Sequence, residues 1–146
     1  MGFRTGIGAL GVSCVLSCVL AVAGCGGGQS ADQLMNRSFT TTSVVTSGEE
    51  RPLAADSTLK VTFTPDGVSA VAGCNTMFGP VSFDSGTLRT SGPLGMTMMG
   101  CDPALMDQDQ WISEFLASGP TWKLDGPNLT LASGETVLVL KDSADA

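Results

Sequence analysis

The residues of this chain whose types could do chemistry are its five cysteines and seven methionines; it has no histidine and no tyrosine. Cys25 follows Val22-Ala23-Gly24 at the end of a short apolar run that starts after Arg4. A basic start, an apolar segment and small residues directly before a cysteine form a lipobox, at which the thiol is lipidated and the chain is cut just before it. The segment from Ile7 to Ala23 is too short and too interrupted by glycine to make a comfortable membrane span. Each acyl chain contributes about 0.8 kcal/mol per buried CH₂, and stable anchoring takes two such signals. A multiply acylated Cys25 therefore needs no help from a membrane-binding face on the folded part. Cys14 and Cys18 lie in the apolar run and leave with it.

That leaves Cys74 and Cys101. In an oxidising compartment two remaining thiols are expected to pair, with two buried free thiols as the alternative. A bridge would close a loop of about 28 residues and contribute about 3.5 kcal/mol by loop-closure entropy. A catalytic thiolate is disfavoured, because activation calls for a histidine or a cationic neighbour and the chain lacks the first. Met77, Met96, Met98, Met99 and Met106 lie near these cysteines in sequence. Thioether and thiolate ligands select Cu(I), so Met96, Met98, Met99 and Cys101 are the candidate set for a soft metal. On a strand, however, Met96 and Met98 would share one face while Met99 and Cys101 share the other. That division favours methionine as a filler of irregular core space.

Other candidates carry less. Asp107 and Asp109 are two apart, so on a helix they cannot form a carboxylate pair, and a solvated helix face is expected. Gly26-Gly27-Gly28 reads as tether, without the context of a phosphate loop. Trp111 and Trp122 read as core or rim aromatics rather than a sugar platform. Asn36-Arg37-Ser38 and Asn128-Leu129-Thr130 match glycosylation sequons, which are idle on a bacterial lipoprotein.

The elements that must position these residues are short strands separated by turn chemistry. Arg37 to Val45 is rich in Thr, Val and Ser. Leu59 to Thr64 alternates apolar and polar with period two, turns at Pro65-Asp66-Gly67 and returns as Val68 to Ala72. Further hairpins turn at Asp84-Ser85-Gly86 and Ser133-Gly134-Glu135, and Trp122 and Leu124 mark another strand. One helix is expected between an Asp102 N-cap with Pro103 at its first position and a Gly119-Pro120 stop. Leu105, Ile112, Phe115 and Leu116 share its apolar face, which Gln108 interrupts. The acidic stretch from Gly48 to Asp56 is expected to be mobile. These elements predict a mainly β fold with one helix, a small antiparallel, barrel-like domain.

Removing a 24-residue leader from the 146 leaves 122, enough for one compact domain. Loss of Arg4 takes the net charge from −7 to −8. An acidic chain without a basic cluster excludes nucleic acid as a partner class. It would also stand away from an anionic membrane surface.

Gly73-Cys74-Asn75 after a strand, and Thr97, Met99 and Cys101 just before the helix, resemble the two motifs of the META domain (HslJ-like) family of bacterial lipoproteins. A Phe-x-x-x-Gly hairpin from Phe63 to Gly67 precedes the first motif, and a helix and a closing hairpin follow the second. The resemblance implies a META domain over residues 34–142, after a signal peptide over 1–24 and a lipidated cysteine with flexible tether over 25–33, and before a tail over 143–146. It implies an envelope protein linked to stress, and it brings no reaction, substrate or cofactor. The resulting expectation is a non-enzymatic, lipid-anchored module that binds another envelope protein or a small ligand. It would sit on the outer side of the cytoplasmic membrane or in the outer membrane. The alternative is a Cu(I)-binding or redox-protective protein using the Met/Cys cluster.

Overall fold

A computed structural model describes residues 1–2, 29–55 and 57–144; the lipobox and Cys25 lie outside the described residues. In chain order the elements are β1 (Arg37–Thr46), β2 (Glu49–Glu50), β3 (Lys60–Thr64), β4 (Gly67–Val71), β5 (Thr76–Gly79), β6 (Val81–Asp84), β7 (Thr87–Thr90) and β8 (Gly95–Met96). Then follow α1 (Pro103–Ala117), β9 (Thr121–Asp125), β10 (Asn128–Ser133) and β11 (Thr136–Asp142). All eleven strands join one sheet in the order β6-β7-β9-β10-β11-β1-β3-β4-β5-β8, with β2 hooked onto β1. Every pairing is antiparallel. The sheet curls into a half-barrel, and α1, the one α-helix among the described residues, packs into it, so the expected mainly β architecture is the one observed.

Period-two patterning decides which side chains line the core. Val61 and Phe63, Val68 and Ala70, Leu129 and Leu131, and Leu138 and Leu140 are buried, while their neighbours along each strand are less so. Each large apolar side chain so buried contributes about 1.5–3 kcal/mol. Phe39, Phe63, Phe83 and Trp122 form an edge-to-face chain with centroid spacings of 6.1, 5.5 and 5.7 Å. In β1 the register shifts between Thr41 and Ser43. The extra residue flips the phase, so that Val44 rather than Val45 follows Phe39 into the core. At the β3–β4 turn Gly67 has φ +140°, and a Cβ there would lie 2.1 Å from the carbonyl oxygen of Gly79. No other residue fits that turn.

Ordered contacts extend beyond the 34–142 span read from the sequence. Ala31–Gln33 form one 3₁₀ turn capped by Ser30, inside the stretch read as tether. Gln29 Nε2 donates to the carbonyl of Leu124 at 2.8 Å. At the other end the Ser143 amide donates to the Ser38 carbonyl, also at 2.8 Å. Residues 49–54 of the acidic stretch are tied down more than their composition suggests. Glu49 and Glu50 pair with Thr46 and Val45, Leu53 packs against the core, and the Arg51 guanidinium lies 3.9 Å from the centroid of Trp111.

Arg37 at the start of β1 pairs with Asp142 at the end of β11. Arg37 Nε donates to Asp142 Oδ2, and the guanidinium lies 4.9 Å from the Phe39 centroid. The Ala144 amide donates to Asp142 Oδ1 at 2.8 Å. That amide, and then Arg37, hold the Asp142 carboxyl below its ordinary value of 3.8, against the opposing effect of burial. A pKa depressed by folding means stability that is present above pH 3.8 and is lost as pH falls through the folded value. Asp142→Asn is therefore expected to be less stable than the wild type at pH 7. The gap should close as pH drops below 3.8, read as urea midpoints across an acid series. A gap that stays constant down to the acid limit would remove Asp142 from the acid response.

Candidate functional site

Both sequence motifs converge beside the first turns of α1. The helix starts as expected: Asp102 is the N-cap, its Oδ1 accepting from the Ala104 amide at 3.0 Å, and Pro103 opens the first turn. Its buried residues are Gln108, Asp109, Ile112, Phe115 and Leu116. Asp109 was expected on a solvated face, yet it is only 1% exposed. The correction has a simple origin. Asp109, Ile112 and Leu116 are spaced i, i+3, i+7, so Asp109 continues the core stripe toward the helix N-terminus. Gln108, read as an interruption, extends the same stripe through Ile112 and Phe115.

These two polar side chains hold the turn after β4. Asp109 Oδ2 accepts from the Asn75 amide at 2.8 Å and from Asn75 Nδ2 at 3.0 Å, while its Oδ1 faces the Cys74 amide at 3.4 Å. Gln108 Nε2 donates to the Ala72 carbonyl and, at 2.9 Å, to Ser57 Oγ. Gln108 Oε1 accepts from the Ala54 amide at 2.6 Å, which ties Ala54 to the same point. Gly73 explains itself sterically: a Cβ there would stand 3.0 Å from Leu105 Cδ2. Absence of a side chain lets the helix approach the turn.

Asn75 then carries the contact onward. Its Oδ1 accepts from Thr97 Oγ1 at 2.9 Å and from the Met99 amide at 2.8 Å, and its Nδ2 reaches the Met99 carbonyl at 3.4 Å. Thr97 Oγ1 in turn accepts from the Thr76 amide at 3.0 Å. Asn75 is 4% exposed. One buried amide thus does for residues 97–99 what a ladder of strand bonds would otherwise do. Cys74 and Cys101 are joined by a disulfide, with Cα atoms 6.2 Å apart, which fastens the far end of that segment. Gly73, Cys74, Asn75, Thr97, Met99 and Cys101 therefore form one clasp between the sheet edge and the helix start.

The methionines fall differently from the core-filling expectation. Met77 is fully buried and Met96 half-buried, but Met98 is 98%, Met99 61% and Met106 46% exposed. The backbone of residues 97–101 is held by Asn75 and the bridge, which frees its side chains to turn outward. The strand-face division does not apply either, because β8 ends at Met96. Met96, Met98, Met99 and Met106 instead line a single groove of about 290 Å³, with Asn75, Thr97 and Gly100. Cys101 drops out of the candidate metal set, since its sulfur is bonded to Cys74. Met106, one helical turn into α1, takes its place beside the groove.

A family model for the META domain matches residues 32–145. The chain belongs to the META-domain family. Two solved structures share the fold. One, determined by NMR, is 28% identical with a TM-score of 0.61, over 78% of this chain and 95% of that one. The other is the NMR structure of a protein from Burkholderia xenovorans, 19% identical with a TM-score of 0.63, over 77% and 85% of the two chains. No curated protein matches. In this META domain the Gly-Cys-Asn turn and the Thr-x-Met-x-Cys segment are the two halves of the clasp. Their helix partners Gln108 and Asp109 are the residues that the sequence motifs did not point to.

Proposed function

We propose that the protein is a lipid-anchored META-domain module of the cell envelope that binds rather than catalyses, as a stress-response or envelope binding module. The observation that carries this reading is the fate of the motif. Its thiols are bridged, its Asn75 and Thr97 polar atoms are bonded internally, and the buried Asp109 is engaged by Cys74 and Asn75. What the clasp offers outward is the methionine groove. A protein surface or a small ligand meeting the domain there would meet flexible thioethers, which adapt to varied shapes.

The location rests on Val22-Ala23-Gly24-Cys25 and the apolar run before it. No helix of the described residues is long and apolar enough to cross a membrane. An acyl anchor at Cys25 followed by Gly26-Gly27-Gly28 would hold the acidic domain clear of the lipid surface. Cys25→Ala is expected to release the protein from the membrane fraction or to stall its processing, read by fractionation and by intact mass. Unchanged processing and unchanged membrane retention would remove the lipid anchor from the account.

A further inference from the structure

We propose that the groove formed by Met96, Met98, Met99 and Met106 is an all-thioether site for a soft monovalent cation of the Cu(I) class. The inference rests on the binding-module reading and names what its groove would hold. Four neutral sulfur-bearing side chains line one groove of about 290 Å³, and no cysteine is needed to complete the set. Methionine is ordinarily a buried residue, so three large, exposed methionines beside a single groove are unusual. Thioethers are poor ligands for hard cations and select Cu(I) among the first-row metals.

The support beneath them is rigid where it must be. Residues 97–101 are pinned by Asn75 at one end and by the Cys74–Cys101 bridge at the other. Met106 comes from the capped first turns of α1, its amide bonded to the Asp102 carbonyl at 3.1 Å. Three rotatable bonds per side chain let each thioether turn into the groove from its fixed backbone. Competing sites of the usual kind are missing: among the described residues no group of three or more His, Cys, Asp or Glu could hold a metal.

Binding of this kind has a signature. A thioether carries no proton to lose, so uptake releases none and does not weaken on acidification, unlike thiolate or imidazole sites. The metal enters and leaves as Cu(I), and the disulfide stays closed, so no electron is exchanged.

The test uses the full chain with its free thiols alkylated and the Cys74–Cys101 bridge intact. Ag(I), a redox-silent monovalent probe, is titrated by calorimetry at pH 7 and pH 5, with Cu(I) in a chelator competition at pH 7 as a second arm. The expected result is one ion per chain in both arms, with the same Ag(I) affinity at both pH values. Met99→Leu with Met106→Leu should lose that equivalent while keeping the fold, because Leu conserves the volume of Met. Met35→Leu, away from the groove, should retain it. No uptake, uptake indifferent to the groove variants, or affinity that falls from pH 7 to pH 5 would each overturn the site. Such a failure leaves the anchored-module reading to the Cys25→Ala fractionation, so the two stand or fall separately.

Discussion

Asp109→Ala is expected to destabilise the META domain by about 3 kcal/mol or more, among the largest effects of any single polar substitution in it. The reason lies in what the carboxylate accepts: the Asn75 amide, Asn75 Nδ2 and the Cys74 amide, all beside a side chain only 1% exposed. Alanine would strand those donors in a buried site, where an unsatisfied group costs about 1–3 kcal/mol. Chemical denaturation should show the loss as a lower urea midpoint. A midpoint within experimental scatter of the wild type would mean that water replaces Asp109 at little cost, and the clasp would then not depend on it.

Comparable in size is the effect of removing the bridge. Cys74→Ser with Cys101→Ser frees a loop closed across a sequence separation of 27. Loop-closure entropy then predicts a loss of about 3.5 kcal/mol. For a domain of this length that is a fall of about 15 °C in melting temperature. Reducing agent alone should shift the wild type by a similar amount and leave the double variant unmoved, by scanning calorimetry. A wild type indifferent to reductant would mean that the bridge adds nothing to stability. Both expectations concern the same few residues, yet they act through different states: Asp109 through satisfied donors in the folded chain, the bridge through fewer conformations in the unfolded one.

Much of the architecture was legible because it is local. Leu59 to Thr64, the Pro65-Asp66-Gly67 turn and the 128–140 hairpin announce themselves by period two and turn chemistry. Asp102, Pro103 and the Gly119-Pro120 stop bracket the helix for equally local reasons. β5 and β8 were harder to see, being four and two residues long with a buried Met77 as their clearest core residue. The phase of β1 was hidden by its bulge, since Thr41-Thr42-Ser43 offers no hydrophobic marker for the extra residue.

The clasp was half legible. Gly73, Cys74, Asn75, Thr97, Met99 and Cys101 were readable as a set, but what joins them was not. Asn75 and Asp109 are 34 residues apart, and an Asp on a helix usually faces water. The i, i+3, i+7 spacing from Asp109 through Ile112 to Leu116 was the signal available. The methionines misled in the opposite direction: the backbone of Met99 is held by Asn75 from 24 residues away, and no local side-chain pattern encodes that bond. In this chain the motif is thus a means of construction.

The measurement that tests this most directly is a double-mutant cycle between Asn75 and Asp109, read as unfolding free energies of Asn75→Ala, Asp109→Ala and the pair. If the motif is one clasp, the double variant should lose little more than the worse single variant, with coupling at the upper end of the range of about 0.5–3 kcal/mol for residues in one network. Losses that simply add would contradict the clasp and return the Gly-Cys-Asn motif to the list of residues still in need of a function.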